Sequence, residues 1–296
     1  GMKEGEHIFF YGEKKNWWSR AGVPGNMPEG EPGGPDSEVF FDFDPKNEHH
    51  HHERSIYKNS KCHPNCDCGR FVEIGNSVFM QYKKDGDGFV ELANKNVDFG
   101  GGLERMTAAV NDDRDIFMID VFDKGREVIE SLSGKKYKSE DNEKETYNFR
   151  VILDHMRAAT FLTGDGVLPG NKDQMYFVRR LIRRAVMFAR KLDIHENFTA
   201  NIAQTFIDVY AFYYPNLKER EEIIKTEINK EETKFRATLE RGIKEFEKVS
   251  GQDISGVEAF NLLQTFGFPI ELTEELAKEK GIKVDIDAFE KEKLAH

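Results

Sequence analysis

Residues 97–106 read Val-Asp-Phe-Gly-Gly-Gly-Leu-Glu-Arg-Met, and three glycines in a row restrict the local fold more than any other stretch of this chain. Upstream, Glu73–Lys83 is an apolar run rich in Val, Phe and Tyr, and Asp85-Gly86-Asp87-Gly88 turns it into a second short strand, Phe89–Ala93. The glycines are therefore expected as a turn between this hairpin and a helix, with Glu104 and Arg105 in the helix's first turn. Free N–H groups at a helix start favour negative charge, and glycine lets a ligand approach the backbone closely. Arg105 adds a planar cation that grips phosphate oxygens. The pattern suits a phosphate-bearing ligand, although the same residues also describe a plain glycine-rich turn.

At 296 residues the chain accommodates one large or two ordinary domains. Charged residues make up 33% of it and the mean hydropathy is −0.65. No apolar run approaches the roughly 20 residues a membrane span needs. A soluble protein without membrane association is expected. The three cysteines all fall within residues 62–68, which argues against a disulfide framework and for a reducing, cytoplasmic setting. A formal net charge of −11 argues against a generic nucleic-acid coat. It leaves RNA recognition open, because Arg179, Arg180, Arg183, Arg184, Arg190 and Lys191 form a local basic stripe, readable either as a phosphate-binding surface or as a solvated helix face.

Residues 1–112 read as mixed strand and loop. The Asp-Gly-Asp-Gly turn fails the register of a calcium loop, since Gly88 at position 6 would put Lys83 at position 1. From Asp113 onward a 3.6-residue period dominates, with stripes at Phe117, Val121, Phe122 and Ile129, and at Ile152, Met156 and Phe161. A long charged helix is expected from about Lys218 to Val249. Another helical unit begins near Val257 and breaks at Gly267 and Pro269, and Thr273 is placed as the N-cap of a following helix. Residues 42–69 look like an insertion carrying His49 to His52 and Cys62-His63-Pro64-Asn65-Cys66-Asp67-Cys68. Cys62, Cys66 and Cys68 are candidate zinc ligands. Their Cys-x3-Cys-x-Cys spacing is not a standard knuckle, so an ordinary loop is the competing reading.

The segment Val97–Arg105 resembles motif 3 of class II aminoacyl-tRNA synthetases, in the form used by alanyl-tRNA synthetases. Asn16-Trp17-Trp18 with Gly33-Gly34-Pro35-Asp36-Ser37-Glu38, Gly75–Tyr82, Arg150–Ala158, Gly164–Asn171 with Arg179–Ala185, Thr238–Gly242 and Phe266–Thr273 are similar to further motifs of that family, in the same order. The resemblance implies an α+β fold: residues 1–112 as the C-terminal part of a class II antiparallel-sheet catalytic domain, and 113–296 as an all-helical domain that recognises the tRNA acceptor stem.

It also implies an alanine-tRNA ligase acting on alanine, ATP with Mg2+, and tRNA(Ala). Arg105, with Gly102, would hold the ATP phosphates, and Glu104 a nucleotide or magnesium contact. Asp98 would take alanine's ammonium group, Gly100 would keep the pocket small, and Trp18, Asn76 and Val78 would wall it. Asn171 and Glu271 would read a G·U pair in the acceptor stem, with Arg179, Arg180, Arg183 and Arg184 on phosphates. Phe99, Gly101 and Gly75 depart from the family's usual threonine, larger residue and tryptophan, and Glu271 stands where aspartate is usual. Motifs 1 and 2 have no counterpart, so a fragment, or a subunit working with a separate N-terminal synthetase subunit and inactive alone, is expected. A non-catalytic tRNA-binding paralogue is the alternative.

Overall fold

β-Branched and aromatic residues from Phe71 onward build the longest strand of the computed structural model, which describes residues 1–138 and 142–295. Four strands, β1 (Trp17–Ser19), β2 (Pro32–Asp42), β3 (Phe71–Asp85) and β4 (Gly88–Gly101), form one antiparallel sheet in sequential order. β3 and β4 are joined by the expected two-residue turn, in which Gly86 adopts φ +55°.

The expectation for the glycine run needs correction. β4 does not stop at Ala93 but runs to Gly101, so Gly100 and Gly101 are strand residues and only Gly102 sits at the helix N-cap. Glycine weakens a strand unless something approaches where a side chain would stand. Here something does: a Cβ on Gly100 would lie 3.0 Å from the Asn76 side-chain oxygen on β3. Gly34 on β2 is more tightly constrained, since its Cβ would lie 1.8 Å from the carbonyl oxygen of Phe79. Helix α1 (Leu103–Val110) follows at once, with Glu104 and Arg105 in its first turn as expected.

The chain divides into two compact units, Gly1–Ile119 and Asp120–His296. Residues 113–119 go with the sheet, where the Arg114 guanidinium donates to the Gly69 carbonyl at 2.9 Å. The second unit is helical: α2 (Asp123–Ser133), α3 (Glu143–Gly164), α4 (Asp173–Lys191), α5 (Thr199–Tyr210), α6 (Pro215–Glu219), α7 (Glu221–Val249), α8 (Gly256–Phe266), α9 (Ile270–Glu279) and α10 (Ile286–Ala295). Phe122, Ile129, Ile152 and Met156 of the expected stripes are buried in its core, with Ile182, Val186 and Phe188 of α4, but Val121 and Phe161 are only half-buried and Phe117 belongs to the first unit.

Two helix starts differ from expectation. α7 begins at Glu221 because residues 215–219 form a separate helical turn, which ends at Arg220. α9 begins at Ile270, and Thr273 is buried inside it rather than capping it. Gly267 (φ +68°) closes α8, and Pro269, its φ fixed at −57°, starts the next helix immediately, with the N–H groups of Leu272 and Thr273 donating to its carbonyl.

Candidate functional site

The β3–β4 register assembles residues far apart in sequence. Asn76 faces Gly100 and Val78 faces Asp98. On β2, Glu38 faces Asn76 and Asp36 faces Val78. Directly opposed residues of antiparallel strands share a face, and so do residues two apart, so all six lie on one face of the sheet. Trp18 lies on outer strand β1 opposite Gly34 and is 41% exposed.

Beside this face, the Arg105 guanidinium donates to the Glu73 carbonyl at 3.2 Å and pairs with the Glu73 carboxylate at 3.4 Å. Arg105, Lys15, Glu38, Phe40 and Glu73, with residues 64–67 of the insertion, line a pocket of about 500 Å³. Burial pushes the Asp36 and Glu38 carboxyls above the usual range, and the nearby Glu73 charge reinforces this. One Asp36 oxygen is buried without a hydrogen-bond partner among the described residues. The face is thus rich in hard oxygen donors and bordered by a half-exposed arginine. That combination suits an ammonium or hydrated Mg2+ on one side and phosphate on the other.

In the helical unit the arginine stripe of α4 is not a free cationic face. Arg183 is largely buried: it pairs with the buried Glu231 of α7 at 2.6 Å and donates to the Gly267 carbonyl at 2.5 Å. Burial lowers its pKa, opposed by Glu231. Arg179 also reaches Glu231, at 3.3 Å, and Arg184 pairs with Glu275 at 3.0 Å. Arg180 pairs with Glu271, and Arg179 donates to the side-chain oxygen of Asn171. Arg190 and Lys191 pair with Glu240 and Glu279.

Comparison with known proteins decides the family. The model for tRNA synthetases class II (A) matches residues 2–296. The chain belongs to this family. It is similar to the alanine-tRNA ligase of Treponema pallidum, 39% identical over 98% of this chain and 47% of that protein. The alanine-tRNA ligase of Borreliella afzelii is 38% identical over 96% of this chain and 46% of its own length. Alanine-tRNA ligase 1 of Lachnoclostridium phytofermentans is 35% identical over 97% and 31%. The chain thus spans about half the length of the first two relatives, and less of the third. No described helix is long and apolar enough to cross a membrane.

Within this class II synthetase fold, the structure brings together Asn76, Val78, Asp98 and Gly100. It sets Arg105 and Glu104 in the helix that follows, and it puts Asn171 and Glu271 each against an arginine of α4. Sequence reasoning gave no role to Asp36, Glu38 and Glu73, although the alternation Asp36-x-Glu38 on β2 signals two carboxylates on one face. It also missed His52. The three cysteines gather around that histidine, and the four ligand atoms lie within 4.8 Å of one another. Cys62 Sγ and Cys68 Sγ are 3.8 Å apart, and Cys66 Sγ is 3.5 Å from His52 Nδ1. Burial and the neighbouring Cys68 push the Cys62 thiol up to about 12. Four adjacent histidines give no sequence signal that singles out the last.

Proposed function

We propose that this chain carries the amino-acid- and phosphate-binding part of an alanine-tRNA ligase, together with the helical reader of the tRNA(Ala) acceptor stem. The observation that carries the reading is the strand register that puts Asp98, Val78, Asn76 and Gly100 on one face, with strand β4 ending one residue before a helix with Glu104 and Arg105 in its first turn.

The reaction joins alanine to tRNA in two transfers. The alanine carboxylate attacks the α-phosphorus of ATP, and pyrophosphate leaves with the electrons of the broken P–O bond. A ribose hydroxyl of the terminal adenosine then attacks the alanyl carbonyl, and AMP leaves. Asp98 receives the ammonium group, Val78 meets the methyl group, and Gly100 keeps the floor clear beside Asn76, whose side-chain oxygen a Cβ at position 100 would crowd at 3.0 Å. Trp18 would close the pocket from β1. Arg105 stabilises charge growing on the phosphate oxygens, with the Gly102 backbone alongside. Mg2+ would neutralise the same oxygens, and Glu104 with the carboxylates of the sheet face are the hard ligands present for it. A pocket that excludes by size separates amino acids differing by one methylene by only about 1–3 kcal/mol, so it leaves glycine poorly rejected.

Three departures from the family pattern form one compensated change on the sheet face opposite Asn76, Val78, Asp98 and Gly100. Gly75 and Gly101 are opposed in register, and the Phe99 ring fills the space between them: a Cβ on Gly75 would lie 3.2 Å from the ring, and one on Gly101 3.4 Å. The aromatic absent at 75 is resupplied from 99 across the strand pair.

The test is calorimetric binding of a non-hydrolysable alanyl-adenylate sulfamoyl analogue, with a polypeptide bearing motifs 1 and 2 present. Asp98→Asn should weaken binding about tenfold or more, the scale of a lost charged hydrogen bond. Gly100→Ala should weaken it as well. Binding unchanged in both variants would reject the assignment.

A further inference from the structure

We infer that His52, Cys62, Cys66 and Cys68 form a closed structural zinc centre that holds one wall of the Arg105 pocket. With Zn–S of about 2.3 Å and Zn–N of about 2.0–2.1 Å, a tetrahedral ion requires sulfurs about 3.8 Å apart and a nitrogen about 3.5–3.6 Å from each sulfur. Two edges of the cluster are 3.8 Å, between Cys62 and Cys68 Sγ, and 3.5 Å, between Cys66 Sγ and His52 Nδ1. Both match the edges of a tetrahedral zinc site, and all four ligand atoms lie within 4.8 Å of one another.

The surroundings meet the requirements of a zinc site independently of those edges. His52 Nε2 lies 2.7 Å from the Ser60 carbonyl, so that nitrogen carries the proton and Nδ1 presents its lone pair to the three sulfurs. His52 and Cys66 are buried, and Cys62 and Cys68 half-buried. Three thiolates and a neutral imidazole complete four-coordination, the closed set of a structural rather than a catalytic zinc.

The centre is placed to organise the pocket. Cys66 lines it with Pro64, Asn65 and Asp67, and the Asn65 amide donates to Glu38 at 2.8 Å. On the other side of the loop, Gly69 and His51 are held by Arg114 at 2.9 and 3.2 Å. Removing the ion would leave three clustered thiols in place of one cross-link and release the segment that faces Arg105.

The 296-residue chain, purified without added metal, should carry about one zinc per molecule by mass spectrometry, released by a thiol-reactive mercurial in step with three modified cysteines. Replacement by Co2+ should give the intense visible bands of a tetrahedral ion and thiolate-to-cobalt charge transfer in the near ultraviolet. His52→Ala should retain the charge transfer while changing the visible bands, and Cys66→Ser should weaken the charge transfer. A triple variant, His49→Ala/His50→Ala/His51→Ala, separates this site from metal bound by the histidine run and should keep its zinc. Loss of zinc in the triple variant, an octahedral cobalt spectrum, or a disulfide among the three cysteines of the freshly isolated protein would each overturn the inference. The wild-type cobalt spectrum decides the matter even where a cysteine variant fails to fold.

Discussion

Moving the Phe99 ring back to position 75 tests whether the departures around the glycine run are one coupled change. Phe99 is 65% exposed, so about a third of its surface is covered. A phenylalanine buries about 150–250 Å² in full, so Phe99→Thr removes about 50–80 Å² of contact, or about 1.5 kcal/mol at 25 cal/mol per Å². Gly75→Phe alone forces a second ring into the space Phe99 occupies. Its Cβ would already lie 3.2 Å from both the Gly100 carbonyl oxygen and the Phe99 ring, and overpacking of this kind costs about 1–3 kcal/mol. Independent effects would sum to about 3–4 kcal/mol. If one ring fills one space, the double variant Gly75→Phe/Phe99→Thr should instead lie within about 1 kcal/mol of the parent, a coupling of about 2 kcal/mol. Urea unfolding followed by tryptophan fluorescence is the suitable assay. Both tryptophans, Trp17 and Trp18, are on β1, and neither substitution adds a fluorophore. A double variant as unstable as the sum of the singles would refute the compensation.

Three further outcomes follow from the geometry. Arg183→Met should destabilise the helical unit by about 3 kcal/mol, the low end for leaving a buried carboxylate short of a partner, because Arg179 still reaches Glu231; thermal unfolding by circular dichroism at 222 nm measures it, and a change under 1 kcal/mol would refute the internal role. Asp36→Asn should raise stability near neutral pH. The folded carboxyl has a raised pKa, so the native state gains stability as pH falls through that value and is disfavoured above it; the variant's advantage should therefore vanish on acidification, and an advantage that grew would contradict the burial argument. The chain should bind an alanine acceptor-stem duplex with G·U over its G·C counterpart by about 1–3 kcal/mol at fixed salt, measured by fluorescence anisotropy, and equal binding would remove the base-reading role from Asn171 and Glu271.

The passage from strands to helices was readable because a 3.6-residue period takes over from Asp113 onward, although the first helix already starts at Leu103. Membership of the sheet face was half readable: motif order named Asn76, Val78, Asp98 and Gly100, but only pairing across β3 and β4 shows Asp36 and Glu38 joining them. The length of β4 was misread because glycine normally marks a turn, and the close approach of Asn76 that makes glycine necessary is a tertiary fact. Thr273 misled for a similar reason: a good N-cap residue lies one turn inside a helix that a proline had already started. The selection of His52 from four histidines depended on burial and on the Ser60 carbonyl, neither visible in the sequence. The arginine stripe of α4 hid its partners because Glu231 lies 48 residues from Arg183, and Glu271 91 from Arg180.

That last pairing changes how the helical unit would engage RNA. Arg180 holds Glu271 and Arg179 holds Asn171, so the two residues proposed to read the base pair are tied to two residues proposed to grip phosphates. A phosphate that takes Arg180 competes with the Glu271 carboxylate, and as it succeeds it frees an acceptor for the guanine amino group. Backbone contact and base contact would then be one event rather than two additive ones. The ordinary expectation for a phosphate-binding arginine is uniform weakening across sequences and a salt slope smaller by about one. Arg180→Gln should instead also reduce the preference for G·U over G·C, although Arg180 touches no base, because Glu271 would no longer be held in place until the phosphate arrives. Binding isotherms for both duplexes over a salt series separate the two cases. A weaker but undiminished G·U preference would make Arg180 a plain phosphate contact and leave Glu271 to be positioned by α9 alone.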